Sequence, residues 1–570
     1  MAETLLSPGV LARETDQSFI QGQPVQAGAA ILGPAAKGPV GIPTLVTSYS
    51  EYQATFGSDV TSGSQQYEYL TQTSANNYFS QGGTSLLVTR VQSGSFTGAS
   101  STSVLNGDAS SAFTLETLTE GEIANSSGSE GANNTLANGT KDNIRWEIQG
   151  SNTDKGTFSL LVRRGDDSSK QKNVLETFQN ISLDPKSPNY ISKVIGDTAY
   201  SVAQDGTDYY VKSNGTYVNK SKYIRVSAVN TPTVDYFDNN GTAKADLIGS
   251  IPVDGSGSFS GATGTLFDGQ EAKFNGNISG NNGNIQGLSQ TDYIESINLL
   301  SNKDEYRYNL ITAPGLNYSD HGIAVGLLVS TVESRQDAIA VIDLNGYDTN
   351  VSTIVSDASG FDSSYAATYW PWLQTLNTTG QTVWVPASAM IPGVYAFTDK
   401  SSDAWFAPAG LTRGALGNVA KAERKLTSGN RDTLYAANVN PIATFPGSGV
   451  VVFGQKTLQK RSSALDRVNV RRLLIELKNY ISQIADNLVF EQNSIATRNS
   501  FLTQVNPYLE GIQQRQGLYA FKVVMDETNN TADVVDRNEL VGQLYLQPTK
   551  TAEFILLDFN VLPTGATFPA

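Results

Sequence analysis

His321, the only histidine in the chain, is the first candidate for chemistry, because imidazole is the most common general base in enzymes. It follows Asp320, so residue type alone allows a Ser-His-Asp triad. The sequence lacks the G-x-S-x-G motif that presents the serine of many such triads. One histidine and no cysteine also exclude multi-histidine metal sites, Cys-ligated zinc and iron–sulfur clusters. We therefore predict no metal site and no cofactor, whereas the residues alone leave catalysis through His321 open.

Carboxylates and aromatic side chains are the other groups that could act on a ligand, in this case a sugar. A glycosidase needs only two acidic residues, but no spacing singles out a pair among the 54 Asp and Glu. A cluster of aromatic residues could stack on a sugar ring, although such clusters more commonly pack in a protein core. We interpret it as core packing; its members are Tyr365, Tyr369, Trp370 and Trp372.

The charge of the chain is uneven. The net charge of −15 argues against direct binding of nucleic acid. Residues 413–478 nevertheless hold twelve Lys or Arg and four Asp or Glu, a local charge of +8. This basic segment indicates either a specific acidic partner or a solvated helix surface, and the sequence leaves both open.

Neither membrane insertion nor export is expected. The most apolar run, Ile323–Val329, is interrupted by glycine and is too short to cross a bilayer. The first residues, MAETLLSPGV, lack the basic and apolar regions of a signal peptide.

The chain changes character twice, which predicts a discontinuous α/β domain with a β-rich insertion. Residues 26–95 contain apolar runs typical of buried strands and a helical pattern at 67–79. Residues 96–295 alternate polar Gly/Ser/Asn tracts with short strand-like pieces, so we expect a surface-exposed insertion here. The predicted strands are Ile144–Ile148, Thr157–Arg163, Tyr209–Val211 and Lys222–Val229.

The α/β pattern returns in residues 296–400 as a βαβ unit. We predict a strand at Tyr308–Thr312, a loop at Ala313–Asp320, a helix at His321–Ser334 and a strand at Asp337–Leu344. The inward helix positions should be Ile323, Leu327, Leu328 and Val332. The loop matches no phosphate-binding motif.

Residues 401–550 should form a C-terminal domain around a long helix at 468–489. Its apolar stripe consists of Val470, Leu474, Leu477, Ile481, Ile484 and Leu488. Arg471 and Lys478 are seven residues apart, so they should share an exposed flanking face. A second helix should place Phe501, Leu502 and Val505 inward and restart at Asn506 and Pro507.

Both ends of the chain look like arms. Residues 1–25 have short segments divided by Pro and Gly, and residues 551–570 contain an alternating strand without a local partner. The side chains that share a face of that strand are Ile555, Leu557, Phe559 and Val561. Such strands can pair with the sheet of another chain.

Several segments, in this order along the chain, resemble the sheath proteins of contractile phage tails. The opening matches through Pro8-Gly9-Val10, Arg13-Glu14 and Asp16, and the centre matches most clearly through SSYAATYWPWLQ. Two departures are Phe406, where a basic residue is common, and Gln492, where proline is common. The matching segments are Gly33–Pro39, Leu45–Gly57, Tyr78–Val91, Val174–Ile195, Ser363–Gln374, Val383–Asp399, Asp403–Gly410, Arg467–Ile481, Val489–Asn493 and Thr551–Ile555.

The resemblance implies a structural, non-enzymatic subunit that polymerises as a helical sheath around an inner tail tube. It implies contraction from a metastable extended state, which drives the tube through the host envelope for genome ejection. The implied partners are other copies of the chain, the tube protein, and baseplate and tail terminator proteins. The subunit would be assembled in the bacterial cytoplasm and reside in the virion tail.

The resemblance also assigns roles to residues. Terminal arms would add strands to neighbouring subunits through Val10 and Leu11 at one end and through Ile555, Leu557, Phe559 and Val561 at the other. We further hypothesise that the helix at 468–489 faces the tube, with Arg471 and Lys478 as contacts. The alternatives are the sheath of a tailocin or other contractile injection system and, more remotely, a β-rich virion adhesin or glycan hydrolase.

Overall fold

The computed structural model describes residues 25–62, 65–264, 286–378 and 380–553. These residues form a central α/β region, a β-rich insertion and a C-terminal region, so the predicted mixed α+β and α/β multidomain class is confirmed. The arm residues Val10 and Leu11, and the tail strand 555–561, lie outside the described residues.

An eight-stranded sheet forms the centre of the molecule. Its inner strands are parallel, and the strand at each edge is antiparallel to its neighbour. The strands are short apolar runs because both faces of the sheet are covered. In spatial order they are Gly449–Val452, Asn440–Phe445, Ala366–Trp370, Ile339–Asp343, Leu310–Asn317, Ala29–Gly33, Leu86–Arg90 and Thr44–Val46.

Helices pack on both faces of this sheet. Side chains alternate along each strand, so Ala30 and Leu32 enter one core and Ala29 and Ile31 enter the other. The first core is covered by Gln290–Leu299, Tyr318–Arg335, Val351–Ala358 and Ser428–Ala436. The second is covered by Tyr49–Phe56, Leu70–Ser80 and Ala387–Ser401.

Smaller elements complete the central region. A three-stranded antiparallel sheet has the order Thr382–Val385, Leu373–Leu376 and Val419–Ala422. Val25–Ala27 runs parallel to Tyr306–Tyr308, and Val60–Ser62 pairs with Gln65–Tyr67. The short helices are Gly410–Arg413 and the 3₁₀ turn Ala464–Asp466.

The insertion has its own hydrophobic core between two antiparallel sheets, where Phe113 and Phe158 stack at 5.6 Å. One sheet has the order Val174–Ser182, Thr157–Arg164, Ile144–Asn152 and Gly255–Gly257. The other has the order Ile224–Val229, Ser111–Thr117, Ser100–Ser101 and Phe259–Ser260, with Val104–Leu105 paired to its second strand. The remaining elements are a hairpin, Ala199–Asp205 with Asp208–Asn214, and the helices Glu122–Asn125, Ile191–Ile195 and Ala245–Ile248.

The C-terminal region consists of two long helices and a hairpin. The helices are Val468–Asp486 and Ile495–Gln514, and the hairpin pairs Leu518–Val524 with Gln543–Pro548. A short helix, Ala532–Asp536, lies in the hairpin connection. The predicted domain began too early, at residue 401, because the strands between 419 and 452 belong to the two central sheets.

Two local predictions were wrong. The predicted loop Ala313–Asp320 is the end of strand Leu310–Asn317 and the start of a helix at Tyr318. The helix is kinked at His321, whose backbone is non-helical and whose side chain is buried, and Ile323, predicted to be buried, is 66% exposed. Pro507 does not restart a helix but lies inside Ile495–Gln514, where buried Val505 and Leu509 hold the helix on both sides.

Candidate assembly surfaces

His321 is a packed core residue. Its side chain is 2% exposed, and its Nδ1 accepts a hydrogen bond from the backbone N–H of Asn317 at 3.2 Å. Burial lowers the pKa of the imidazole. Asp320 bonds the side-chain amide of Asn317 at 3.0 Å. Neither residue is part of a hydrogen-bonded Ser-His-Asp chain within the described residues.

Core packing is confirmed for three members of the aromatic cluster, Tyr369, Trp370 and Trp372, whereas Tyr365 is half-buried. Tyr369 and Trp370 lie on a central strand, and the hydroxyl groups of Tyr369 and Tyr395 are 2.8 Å apart. Trp372 donates from its indole nitrogen to the carbonyl of Asn345 at 3.2 Å. These rings are buried and cannot present a flat surface to a sugar.

The described residues contain no group of three or more His, Cys, Asp or Glu side chains placed to hold a metal ion. None of the described helices is long and apolar enough to cross a bilayer.

Asp343 is a buried carboxyl group that the sequence analysis missed. It ends a central strand and accepts hydrogen bonds from the backbone N–H of Ser388, at 3.1 Å, and from the Ser388 hydroxyl. Ser388 lies in the first turn of helix Ala387–Ser401, so Asp343 caps that helix from another element. Burial raises the pKa of Asp343 to about 7. An apolar strand that ends in Asp was the only sequence signal.

The long helix Val468–Asp486 is sandwiched between two cores. Val468 and Ile475 enter the central core, whereas Leu473 and Leu477 enter the C-terminal core. Of the predicted stripe, three positions are buried and Leu474, Ile481 and Leu488 are partly buried. Because apolar side chains are needed on two sides, the helix has less exposed surface than a single stripe predicts.

This arrangement corrects the prediction for Arg471. Its side chain is 4% exposed instead of lying on an open face. The guanidinium packs 4.0 Å from the ring centre of Tyr365 and donates a hydrogen bond to the hydroxyl of Ser364. Burial lowers the pKa of Arg471. No carboxylate forms an ion pair with it among the described residues.

Lys478 does lie on the surface, as predicted. Its amine donates to the side-chain oxygen of Gln336 at 3.1 Å and to the hydroxyl of Tyr365 at 3.3 Å. Tyr365 therefore contacts both cations, one on its ring and one on its hydroxyl. The predicted pair therefore consists of one buried and one exposed charge, and its contact with the tube stays a prediction.

Arg472, which the sequence analysis did not single out, ties the long helix to the central region. It donates to both carboxylate oxygens of Asp399 at 2.6 Å and packs 4.6 Å from the ring centre of Tyr395. Burial lowers the pKa of Arg472, but pairing with Asp399 outweighs burial and raises it. The long helix is consequently fixed to the central region as well as to its own.

The last described residue, Glu553, belongs to a polar cluster that we call the arm anchor. Its other members are Arg467, Tyr435 and Gln455. The Glu553 carboxylate accepts hydrogen bonds from Arg467 at 2.7 Å, Tyr435 at 2.8 Å and Gln455 at 3.1 Å. Burial raises the pKa of Glu553, but these bonds outweigh burial and lower it. The last described residue is thus held firmly just before the predicted arm strand 555–561.

The C-terminal hairpin has two outer edges that pair with no further strand within the described residues. Its strand Gln543–Pro548 alternates exposed and half-buried side chains, and Tyr519 and Tyr545 are exposed. Unpaired edges of this kind accept strands from other chains. At the other end, Val25–Ala27 places the root of the predicted N-terminal arm beside the central region.

Comparison with known proteins identifies two domains. Residues 285–458 match the phage tail sheath protein central domain, and residues 460–561 match the phage tail sheath C-terminal domain. The second match contains Arg471, Lys478 and the arm anchor residues Arg467 and Glu553.

Two curated relatives are similar to parts of the chain. The tail sheath protein of Vibrio phage KVP40 is 38% identical over 246 residues, which cover 42% of this chain and 36% of that protein. The tail sheath protein of Enterobacteria phage T4 is 42% identical over 185 residues, which cover 32% of this chain and 28% of that protein. The chain thus matches about a third of the length of these relatives.

A solved structure supports the fold over nearly the whole chain. The crystal structure of a sheath tail protein from Listeria innocua has a TM-score of 0.52 and 10% identity, covering 92% of this chain and 95% of that one. This likeness concerns the fold alone. The two matched domains and the two relatives support a contractile phage tail sheath family for residues 285–561.

Proposed function

We propose that this chain is the structural subunit of a contractile tail sheath. It polymerises as a helical sheath around an inner tail tube and contracts from an extended state to drive the tube through the host envelope. This role needs no catalytic residue and no cofactor. The subunit is assembled in the bacterial cytoplasm, resides in the virion tail, and contacts baseplate and tail terminator proteins at the two sheath ends.

The observation that carries this proposal is the arm anchor beside an open hairpin. Glu553 holds the chain just before the predicted tail strand, while the hairpin offers two edges that are unpaired within the described residues. A tail strand of one copy that pairs with the hairpin of the next links the copies through backbone hydrogen bonds. Val10 and Leu11 of the N-terminal arm, with Ile555, Leu557, Phe559 and Val561, would supply the side chains of these added strands.

Contraction then moves whole subunits. The long helix packs in both the central and the C-terminal core, and the Arg472–Asp399 pair adds a polar contact between the two regions. A subunit built in this way rotates as one body, while the exchanged strands keep neighbouring subunits connected. The predicted insertion, residues 96–295, ends too late, because Leu288 and Tyr293 lie in the central core. Its part with a separate core, residues 99–259, would face outward because its polar loops and core are not needed for these links.

The tube contact in this proposal centres on Lys478. Lys478 is the exposed member of the predicted pair. Arg471 is buried and packs on the ring of Tyr365, whose hydroxyl contacts Lys478. A single exposed charge contact stabilises by only about 0–1 kcal/mol, so many copies must act together. Lys478→Glu should impair loading onto purified inner tubes at low salt without unfolding the subunit. Unchanged loading would remove Lys478 from the tube interface.

Negative-stain microscopy of the purified chain tests the main proposal. Striated tubes are expected, and compact trimers would instead favour a virion adhesin. Deletion of residues 1–20, or of residues 556–570, should leave a folded subunit that no longer forms tubes. Ordinary tubes from both truncated chains would contradict the arm mechanism. The sheath of a tailocin or another contractile injection system remains the second candidate, and neighbouring capsid and terminase genes would favour a phage.

A further inference from the structure

The connection between the two long C-terminal helices, residues 488–495, which we call the tip, is apolar and exposed. The proposed function gives it no role. Phe490 is fully exposed, and Val489 and Ile495 are 60% and 62% exposed. Phe490 also has a φ of 69°, a left-handed conformation that a bulky residue adopts at an energetic cost. The fold therefore holds an aromatic ring out in solvent instead of turning it inward.

The exposed charges beside this tip are carboxylates, whereas Arg498, which donates to the side chain of Asn493 at 2.9 Å, is buried. Asp486 ends the first helix and Glu491 follows Phe490 directly. Among the described residues, neither carboxylate takes part in an ion pair. The tip thus presents an exposed aromatic ring beside two unpaired carboxylates. A surface with aromatic and basic side chains would complement it.

The chain itself carries such a surface at the edge of the central sheet, which we call the basic aromatic patch: Arg431, Phe445 and Phe453. The two phenylalanine rings lie 4.9 Å apart, and the Arg431 guanidinium lies 5.4 Å and 5.9 Å from their centres. Phe453 is 44% exposed. Arg431 donates one hydrogen bond, to the carbonyl of Leu426, and pairs with no carboxylate in the described part of the chain.

We propose that the tip of one copy docks on the basic aromatic patch of a neighbouring copy. Phe490 packs against Phe453, and Glu491 pairs with Arg431 of the other subunit. The two surfaces differ, so this contact is head-to-tail and generates rings or open helical polymers rather than closed dimers. The inference rests on the proposed self-assembly and adds a side-chain contact to the strand exchange.

Assembly of the full chain tests the pairing. Phe490→Asp should raise the concentration needed for polymerisation at least about tenfold, as expected for loss of an aromatic anchor. Val218→Asp, at a 72% exposed position in the insertion, is the matched control and should not. Glu491→Arg and Arg431→Glu should each impair assembly, and the double variant should restore it. Normal assembly of Phe490→Asp, or no restoration in the double variant, would overturn the proposal.

Cross-linking separates this inference from the proposed function. The chain has no cysteine, so Phe490→Cys combined with Phe453→Cys introduces the only two thiols. Oxidation should give a ladder of covalently linked copies, whereas Phe490→Cys with Val218→Cys should not. Absence of the ladder, or a link within one copy, would refute the tip contact even if tubes form. A ladder without tubes would support the contact and contradict the sheath proposal.

Discussion

The insertion and the basic C-terminal segment differ in whether their cationic side chains are paired with carboxylates. In the insertion, buried Arg163 bonds both oxygens of Asp167 at 2.8 Å and also pairs with Glu147. Buried Arg145 pairs with Glu130 and, at 3.6 Å, with Asp167. Both buried arginines of the insertion are therefore paired with carboxylates of the same region, while the exposed Lys141 and Lys222 pair with Asp59 and Glu51 of the central region.

The basic segment 413–478 is different. Within the described chain, Arg467 and Arg472 are the cations of this segment that form ion pairs. Arg431, Arg471 and Lys478 are held by rings, hydroxyls and carbonyls instead. A segment whose cations lack carboxylate partners is suited to an acidic neighbour, whereas a region whose buried cations are paired internally can face solvent.

The largest effect should come from breaking the closed network of the insertion. Arg163→Met leaves Asp167 buried without its main partner, and loss of one member of a buried pair costs about 3–5 kcal/mol of stability. Hydrogen exchange of strand Thr157–Arg164 should therefore become faster. The exposed pair of Lys186 and Asp235 gives the control, because Lys186→Met should leave exchange unchanged. Unaltered exchange in Arg163→Met would show that the network is not stabilising.

The sequence predicted elements better than it predicted partners. The central strands are recognisable because they are apolar on both faces, and the insertion because its polar tracts interrupt short strands. Arg471 was misplaced because its surroundings depend on Tyr365, more than 100 positions earlier in the chain. Asp343 and Ser388 are 45 positions apart, and Glu553 and Tyr435 are 118 apart, so no local sequence pattern encodes either contact.

The second prediction concerns Asp343, a carboxyl group buried in the central region without a cation. Its pKa is about 7 in the folded chain, against about 3.9 when unfolded, so the folded state binds the extra proton. Wild type should therefore lose about 2–4 kcal/mol relative to Asp343→Asn as the pH rises from 4 to 8. Denaturation of both proteins across this range measures the difference. Parallel pH profiles would contradict it.

The third prediction concerns the arm anchor, where the carboxylate does have a cation. The pKa of Glu553 is lowered in the folded chain, so its ionised carboxylate stabilises the fold. This stabilisation is complete above the ordinary carboxyl pKa of about 4.3 and is lost as the pH falls through the lower pKa of the folded state. Glu553→Gln should weaken the anchor at neutral pH by about 1–2 kcal/mol, allowing for partial exposure. Protease cleavage beyond residue 553 should become faster.

Exposed Glu539, which pairs with Arg537, provides the control for the arm anchor. Glu539→Gln should leave cleavage of the tail unchanged at neutral pH. If Glu553→Gln and wild type are cut at the same rate, the hydrogen bonds to Arg467, Tyr435 and Gln455 do not restrain the arm.

The smallest effect on stability should come from Arg471, although it is as buried as the arginines of the insertion. Arg471→Met leaves no buried carboxylate unpaired, and it trades the packing on Tyr365 against the cost of burying a charge. We expect the free energy of unfolding to change by less than about 1 kcal/mol. Arg472→Met, at the next position, removes the cation that pairs with Asp399. It should therefore lower the free energy of unfolding by more than Arg471→Met does. Equal losses of unfolding free energy in Arg471→Met and Arg472→Met would mean that Arg471 is neutralised within its own subunit. The basic segment would then not differ from the insertion in how its buried arginines are paired.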